Sequence, residues 1–566
     1  MRISRRNFTV MLLGTAALAG CQQAGPAPAP AAKTDAKPAD VKPAAPAAAP
    51  ATQAAPAAKT ESKPAEAKPA AAAKPATAAK PQQRDLITVA YAGEPNSLDT
   101  TNELGNVGVR MHYVFHDTLF RRDFLDGNKL VPSLATSWKR LDDVTLEVKL
   151  REGVVFHDGS KMTSEDVKYT FDRIMNPEFR SEATGYFAVL QAVEAPDPLT
   201  VRIKTKSPDP LLEQRLASYG SWILPKAAVE RMTWEKFIQA PVGAGPYKFV
   251  EWKREAQLVA EAHAQYWSDA PAAKRLVFRL IPETSTRVSA LLAGEVDIIT
   301  NLPPDQVETV EGNSDTYVKA VPLSNAHVLR YNTISFAPIA DARVRRGMNL
   351  AIDRDTLVKS LWRGRATVPR GFTFEGEFGY NPDRPKMPYD LDKAKALIKE
   401  GGYNGDELTF RTSPVYYSNG RQAAEAIVEM WKKAGLNAKI EVMEQAAMGK
   451  IDEAGQQHIT NWSATSTLSD PDGYLWRNWG PDNNFQKRGY WKPDEFNKLG
   501  QESRSILDQQ KRYANYQRMF DIFEEDAPGT VLYIPLESYG LRKGIDWTPY
   551  PIYYFDPRAY NLKVTS

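Results

Sequence analysis

The chain has 566 residues, 42% of them hydrophobic, 10% aromatic and 25% charged, with a formal net charge of +3, one cysteine and six histidines. These are the proportions of a globular protein. The small, mixed charge argues against a nucleic-acid partner, and a lone cysteine excludes an internal disulfide or a multi-cysteine metal site.

The amino terminus reads as an export signal. Arg2, Arg5 and Arg6 give a positive start, residues 8–19 form an apolar run, and small residues lead to Leu18-Ala19-Gly20-Cys21. The run is shorter than the roughly 20 apolar residues that span a bilayer as a helix. Ser4-Arg5-Arg6-Asn7-Phe8 resembles a twin-arginine signal, although Thr9-Val10 stands where that pattern usually continues with Leu and Lys. Tat and Sec routes therefore both stay open. Leu18-Ala19-Gly20-Cys21 resembles a bacterial lipobox, in which the cysteine becomes the new amino terminus and its thiol carries a diacylglyceryl group. Two or three acyl chains would make a lasting anchor; the bland alternative is a secretory signal with a chance cysteine. Residues 22–84 are Ala, Pro and Lys repeats without an aromatic residue. They cannot bury enough apolar surface to offset the entropy of ordering, so they read as a disordered linker. Its reach lies between about 45 Å as a coil and about 195 Å if extended.

The body, residues 85–566, is long enough for about three domains. No later apolar run approaches membrane-spanning length, and a soluble body is expected. Residues 86–91 alternate as a strand does, then enter the turn-rich stretch 93–99. A helix is expected over 107–119, carrying His112 and His116 one turn apart. Two imidazoles at that spacing can share a metal, but no third ligand is visible and no metal is assigned. Residues 145–150 read as a strand, and Asp158-Gly159 marks a tight turn. Thr163-Ser164-Glu165-Asp166 is a capping-box-like start for a helix whose apolar stripe is Val167, Phe171 and Ile174.

Further motifs follow in order. They are Gly243-Ala244-Gly245-Pro246-Tyr247, Tyr266-Trp267, Leu291-Leu292-Ala293-Gly294-Glu295-Val296-Asp297-Ile298, Tyr331-Asn332-Thr333, Val344-Arg345-Arg346, and a capped helix from Tyr389-Asp390 closed by Gly401-Gly402-Tyr403. With the stretch 130–174, this series resembles the family 5 extracellular solute-binding proteins, the peptide and nickel receptors of ABC importers. Each motif alone is weak; six in the family's order over most of the body are specific.

The resemblance implies an α/β, periplasmic-binding-protein-like fold (type II, cluster C) of two lobes with a hinge and an extra domain. Carried onto this chain, domain I is residues 85–117, 245–330 and 530–566, domain II 118–244 and domain III 331–529. It also implies an exported, lipid-anchored monomer that serves ABC permease and ATPase subunits, with no catalytic residue and no cofactor. His157-Asp158 resembles a catalytic pair but reads as scaffold. By family position Leu104, Gly105 and Asn106, then Tyr416 and Tyr417, and then Trp462, Ser463, Thr465 and Asp470 face the ligand; any one of the aromatics could equally be core. Peptide receptors of the family commonly hold Trp-x-x-Asp, whose aspartate meets the peptide's α-ammonium. Here Thr465 occupies that place, and a hydroxyl cannot replace a charge-assisted bond. Either Asp470 has moved in by way of an insertion, or the ligand lacks a free amino terminus, which keeps an opine, a sugar derivative, a blocked peptide or a metal chelate open.

A secreted hydrolase is the rival class. The sequence holds no Gly-x-Ser-x-Gly, His-Glu-x-x-His or phosphate-loop motif, and its histidines are scattered. A receptor that senses rather than transports would use the same fold. For the anchor, Cys21→Ser should leave the folded body intact and release it from membranes; fractionation identical to the parent would overturn the lipobox reading.

Overall fold

The computed structural model describes residues 84–413 and 417–565, all within the unit Ala78–Ser566. The export signal, Cys21, nearly all of the linker and Tyr416 lie outside the described residues.

A mixed sheet of twelve strands runs through the body, and the 14-residue strand Gly529–Arg542 is its shared member. The first half of that strand pairs antiparallel with Asn325–Tyr331, and the second half with Thr316–Pro322 and Ile298–Ile299. Its side chains are buried along most of its length, as befits a strand with neighbours on both edges and layers on both faces. The chain therefore passes from one lobe to the other at two adjacent places, Leu323-Ser324 and Pro535, where Leu323 N–H donates to the Pro535 carbonyl at 3.1 Å. Pro535 has no N–H to return to the Leu323 carbonyl, so this pair is joined by a single backbone hydrogen bond.

In the first lobe Arg84–Tyr91 pairs parallel with Ala273–Leu280 and Ile298–Ile299, and residues 87–91 are buried without alternation. A separate four-stranded antiparallel sheet holds Ala135–Asp142, Thr145–Leu150, Leu190–Asp197 and Thr200–Thr205. The helix Ser164–Met175 packs on it through Val167, Phe171 and Ile174, all buried. The expected cap is present: Asp166 Oδ2 accepts from the Thr163 backbone N–H at 2.8 Å.

The helix expected over 107–119 runs only over Asn106–Phe115, because His116 turns to an extended conformation. The cause is the Gly243-Ala244-Gly245 segment. Gly245 N–H donates to the Phe115 carbonyl at 2.9 Å, and a Cβ on either glycine would run into the Phe115 backbone. His157 clamps the same segment. Its Nδ1 accepts from Gly243 N–H at 3.1 Å, so its Nε2 carries the proton and donates to the Gly245 carbonyl at 3.0 Å. Burial pushes this imidazole down to about 3, which keeps it neutral. His157 is thus scaffold, and Asp158 pairs separately with Arg231 at 2.9 Å. The Tyr266-Trp267 pair serves a buried ion cluster. Tyr266 accepts from Arg558 Nε at 3.0 Å, Trp267 Nε1 donates to Asp117 at 2.8 Å, and Arg558 pairs with Asp117 and Asp556.

In the second lobe Asn325–Tyr331 pairs with Ile459–Thr465, beyond which lie the parallel strands Leu408–Thr412 and Ala438–Val442. The helix Gly420–Lys433 covers them with Ala423, Ala424, Ile427, Val428 and Trp431, a stripe at helical spacing. Trp431 is fully buried, and its Nε1 donates to the Met348 carbonyl at 3.0 Å.

Gly243→Ala should cost about 1–3 kcal/mol, because backbone and not a flexible side chain must move to admit the methyl group. A melting temperature equal to the parent's would refute this account of the motif.

Candidate functional site

Leu104 brings the first expected segment into a buried aromatic cluster with Tyr113, Tyr219, Trp222, Tyr553 and Tyr554. The rings of Tyr113 and Tyr554 stack with centroids 4.3 Å apart. Gly105 and Asn106 stay exposed at the start of the helix Asn106–Phe115. From the other lobe, Asn325 Nδ2 donates to the Tyr553 hydroxyl at 3.3 Å, and Thr465 sits opposite Asn325 in the antiparallel ladder. Ser463 lies opposite His327, whose ring stacks on Tyr417 with centroids 3.6 Å apart. Burial alone pushes His327 down to about 3, so it is a neutral ring.

Trp462 points to the other face of its strand, as the period of two requires. The Arg330 guanidinium lies 4.3 Å over its ring, and its Nε1 donates to Asn478 Oδ1 at 3.1 Å. Together with Phe485 it lines a separate cavity of about 140 Å³. Tyr416 falls outside the described residues.

Asp470 is engaged elsewhere. Arg512 Nη2 donates to Oδ2 at 2.9 Å, Asp472 N–H donates to Oδ1 at 3.0 Å, and both charged side chains are sealed, at 1% and 2% exposure. Burial pushes the Asp470 carboxyl up, while Arg512 draws it down. A carboxylate saturated in this way has little left for a ligand's ammonium. His112 Nε2 is held by the Glu103 carbonyl at 3.0 Å and its ring packs on Trp222. Among the described residues no group of three or more His, Cys, Asp or Glu side chains is placed to hold a metal ion.

The sequence reading missed what fastens the lobes together. Arg215 Nη2 reaches Asp472 Oδ2 at 2.7 Å across 257 positions of sequence, while its Nε holds Asp209 at 2.8 Å. Arg504 Nε approaches the other Asp472 oxygen at 2.9 Å. Nearby, Ser218 Oγ donates to the Thr467 carbonyl at 2.8 Å, Arg122 Nη1 donates to Ser469 Oγ at 2.6 Å, and Asn128 bonds the same hydroxyl. Residues 466–472 thus form a clasp from the second lobe onto the first, and the two lobes are shut on each other. Burial pushes Asp472 up, but Arg215 and then Arg504 more than offset this and hold it below its ordinary 3.8. No local pattern marks such pairs; an Asp-Pro-Asp triplet signals only a turn.

Residues 129–486 match the family described as bacterial extracellular solute-binding proteins, family 5. The chain is 27% identical over 433 residues to the dipeptide-binding protein of Escherichia coli (strain K12), covering 71% of this chain and 81% of that protein. It is 27% identical over 509 residues to the oligopeptide-binding protein AppA of Bacillus subtilis, covering 84% of this chain and 90% of that one. Among solved structures, the periplasmic binding protein DppA of Helicobacter pylori, in complex with the peptide STSA, superposes with a TM-score of 0.76 at 25% identity, over 86% of this chain and 99% of that one.

Asp472→Asn should loosen the shut arrangement by about 2 kcal/mol, roughly thirtyfold in the ratio of shut to open forms, because Arg215 keeps Asp209 but loses its partner on the other lobe. The carboxylate's contribution is present above pH 3.8 and fades as pH falls through its depressed value. Scattering curves of variant and parent that coincide would show that the clasp does not hold the lobes.

Proposed function

Because the chain belongs to the bacterial extracellular solute-binding proteins of family 5, we propose that it captures a peptide or peptide-like solute between its lobes and hands it to the permease of an ABC importer. Members of this family are exported, non-enzymatic transport components that work with membrane permease and ATPase subunits. The observation that carries the reading is the double crossing at Leu323-Ser324 and Pro535, beside a clasp that exists only when the lobes meet. Rotation about these two adjacent segments opens and shuts the molecule. A solute that touches both lobes adds affinity for the shut form alone, and the population shifts by that difference.

In this reading Leu104, Gly105 and Asn106 meet the solute from the first lobe. Tyr416, Tyr417, Ser463 and Thr465 meet it from the second, with Trp462 and Asp470 supporting the wall from behind. Extended peptides can be held through backbone hydrogen bonds, with roomy pockets for varied side chains. The proposal keeps the division into domain I (85–117, 245–330, 530–566), domain II (118–244) and domain III (331–529), except that 325–330 and 530–535 pair into the sheet of the second lobe, and adds lipidation at Cys21 and a monomeric state. One observation favours a second reading, a non-peptide solute such as an opine, a sugar derivative or a metal chelate: Thr465 carries no charge and Asp470 is saturated by Arg512.

Purified protein should contract on binding its solute, with a smaller radius of gyration and altered tryptophan fluorescence. Mass spectrometry of the molecule that co-purifies from the native host should show a peptide. A protein that converts its ligand without compacting would belong to the hydrolase class instead.

A further inference from the structure

A cavity of about 900 Å³ opens beside the crossing, walled by residues 124–128 and 548–551 of the first lobe, the connection 318–324, and residues 374–377 of the second lobe. Its charged lining residues are Lys319, Glu375 and Glu377. Lys319 Nζ is 2.6 Å from Asp546, so its charge is already met, and Glu375 faces solvent.

Glu377 is in neither position. Its Oε2 accepts from the Ser466 hydroxyl and its Oε1 is sealed from solvent; the Ser324 hydroxyl also bonds the carboxylate, but no cation forms an ion pair with it among the described residues. The nearby cation, Arg122, gives its hydrogen bond to Ser469 instead, at 2.6 Å. A sealed carboxylate oxygen with no cation against it is costly, and proteins pair such groups. Ser466 directly follows Thr465, the position at which this chain carries a hydroxyl where a carboxylate was expected. A carboxylate from another segment thus stands one residue beyond the strand Ile459–Thr465.

We propose that Glu377 supplies the carboxylate that holds a cationic group of the solute, an ammonium or guanidinium, in this cavity. The assignment rests on the reading of the chain as a receptor for peptide-like solutes, and it removes the need for a blocked or uncharged ligand. Because the cavity's walls come from both lobes, a cation seated on Glu377 is enclosed only in the shut form and favours it. Burial pushes the Glu377 carboxyl up to about 7, against the hydroxyls of Ser466 and Ser324 and the charge of Arg122. Asp470, with Arg512 on it, and the Tyr474 phenol are the other titratable groups that sense it. A cation stabilises the ionised form, so binding expels the proton from the fraction of molecules that carry one.

The test is calorimetry on the whole protein with three probes: trialanine, N-acetyl-trialanine and putrescine. We expect trialanine to bind at least about tenfold more tightly than its acetylated form. Its affinity should rise from pH 6 to 7, before the ligand's own ammonium begins to lose its proton, with net proton release on binding in buffers of different ionisation enthalpy. Glu377→Gln, which keeps the size of the side chain and a partner for Ser466, should abolish both the discrimination and the pH dependence. Equal binding of both trialanine forms by the parent, or undiminished discrimination in Glu377→Gln, would overturn the proposal and leave the peptide reading standing. Putrescine binding that depends on Glu377, with neither trialanine form bound, would overturn the peptide reading and keep Glu377 in its role; no binding of any probe would overturn both. Should the variant not fold, Glu377→Asp and the parent's preference for trialanine over its acetylated form decide, and equal binding of the two forms overturns the proposal.

Discussion

The strand Gly529–Arg542 is the constraint on which the rest depends. One continuous strand is a member of the hydrogen-bonded ladders of both lobes, so neither lobe's sheet is complete without it. A long strand would ordinarily make the two halves one rigid plate. At the crossing, Pro535 withholds a donor where the ladder would otherwise be continuous. The result is a body whose halves are each stiff and whose junction is soft, which is what a jaw-like motion needs.

The shut form is fastened by charge and not by an oily seam. Asp472 sits between Arg215 and Arg504, and Thr467 and Ser469 bond groups of the opposite lobe. Buried pairs of this kind gain little net stability over apolar packing, yet breaking one partner is expensive. On opening, water can replace each of these hydrogen bonds, so the two forms stay close in free energy. A modest ligand preference can then decide between them.

Much of the architecture was legible in the sequence, because it rests on local rules. Residues 145–150 alternate and form a strand over those same positions, and the Thr163–Asp166 cap forms as its spacing requires. The Gly243-Ala244-Gly245 motif was legible as a motif but not as a cause. That it ends the preceding helix at Phe115 depends on a contact between segments far apart in the chain. The site was less legible. The period of two sends Trp462 away from Ser463 and Thr465, which the sequence reading had grouped together. The saturation of Asp470 by Arg512, and the arrival of Glu377 beside Ser466, are long-range events with no spacing to betray them.

The clamp of His157 on the glycine segment has a consequence for acid tolerance. It belongs to a set of interior imidazoles, with His112 pushed down to about 4 and His116 and His263 also lowered, all by burial first. An unfolded chain would take up protons on these rings near the ordinary histidine value, whereas the native interior refuses them. Each such ring favours the native state while the medium is above that value and progressively less below it. Souring of the surroundings therefore erodes the seam between helix and glycine loop well before the carboxylates of the clasp are neutralised.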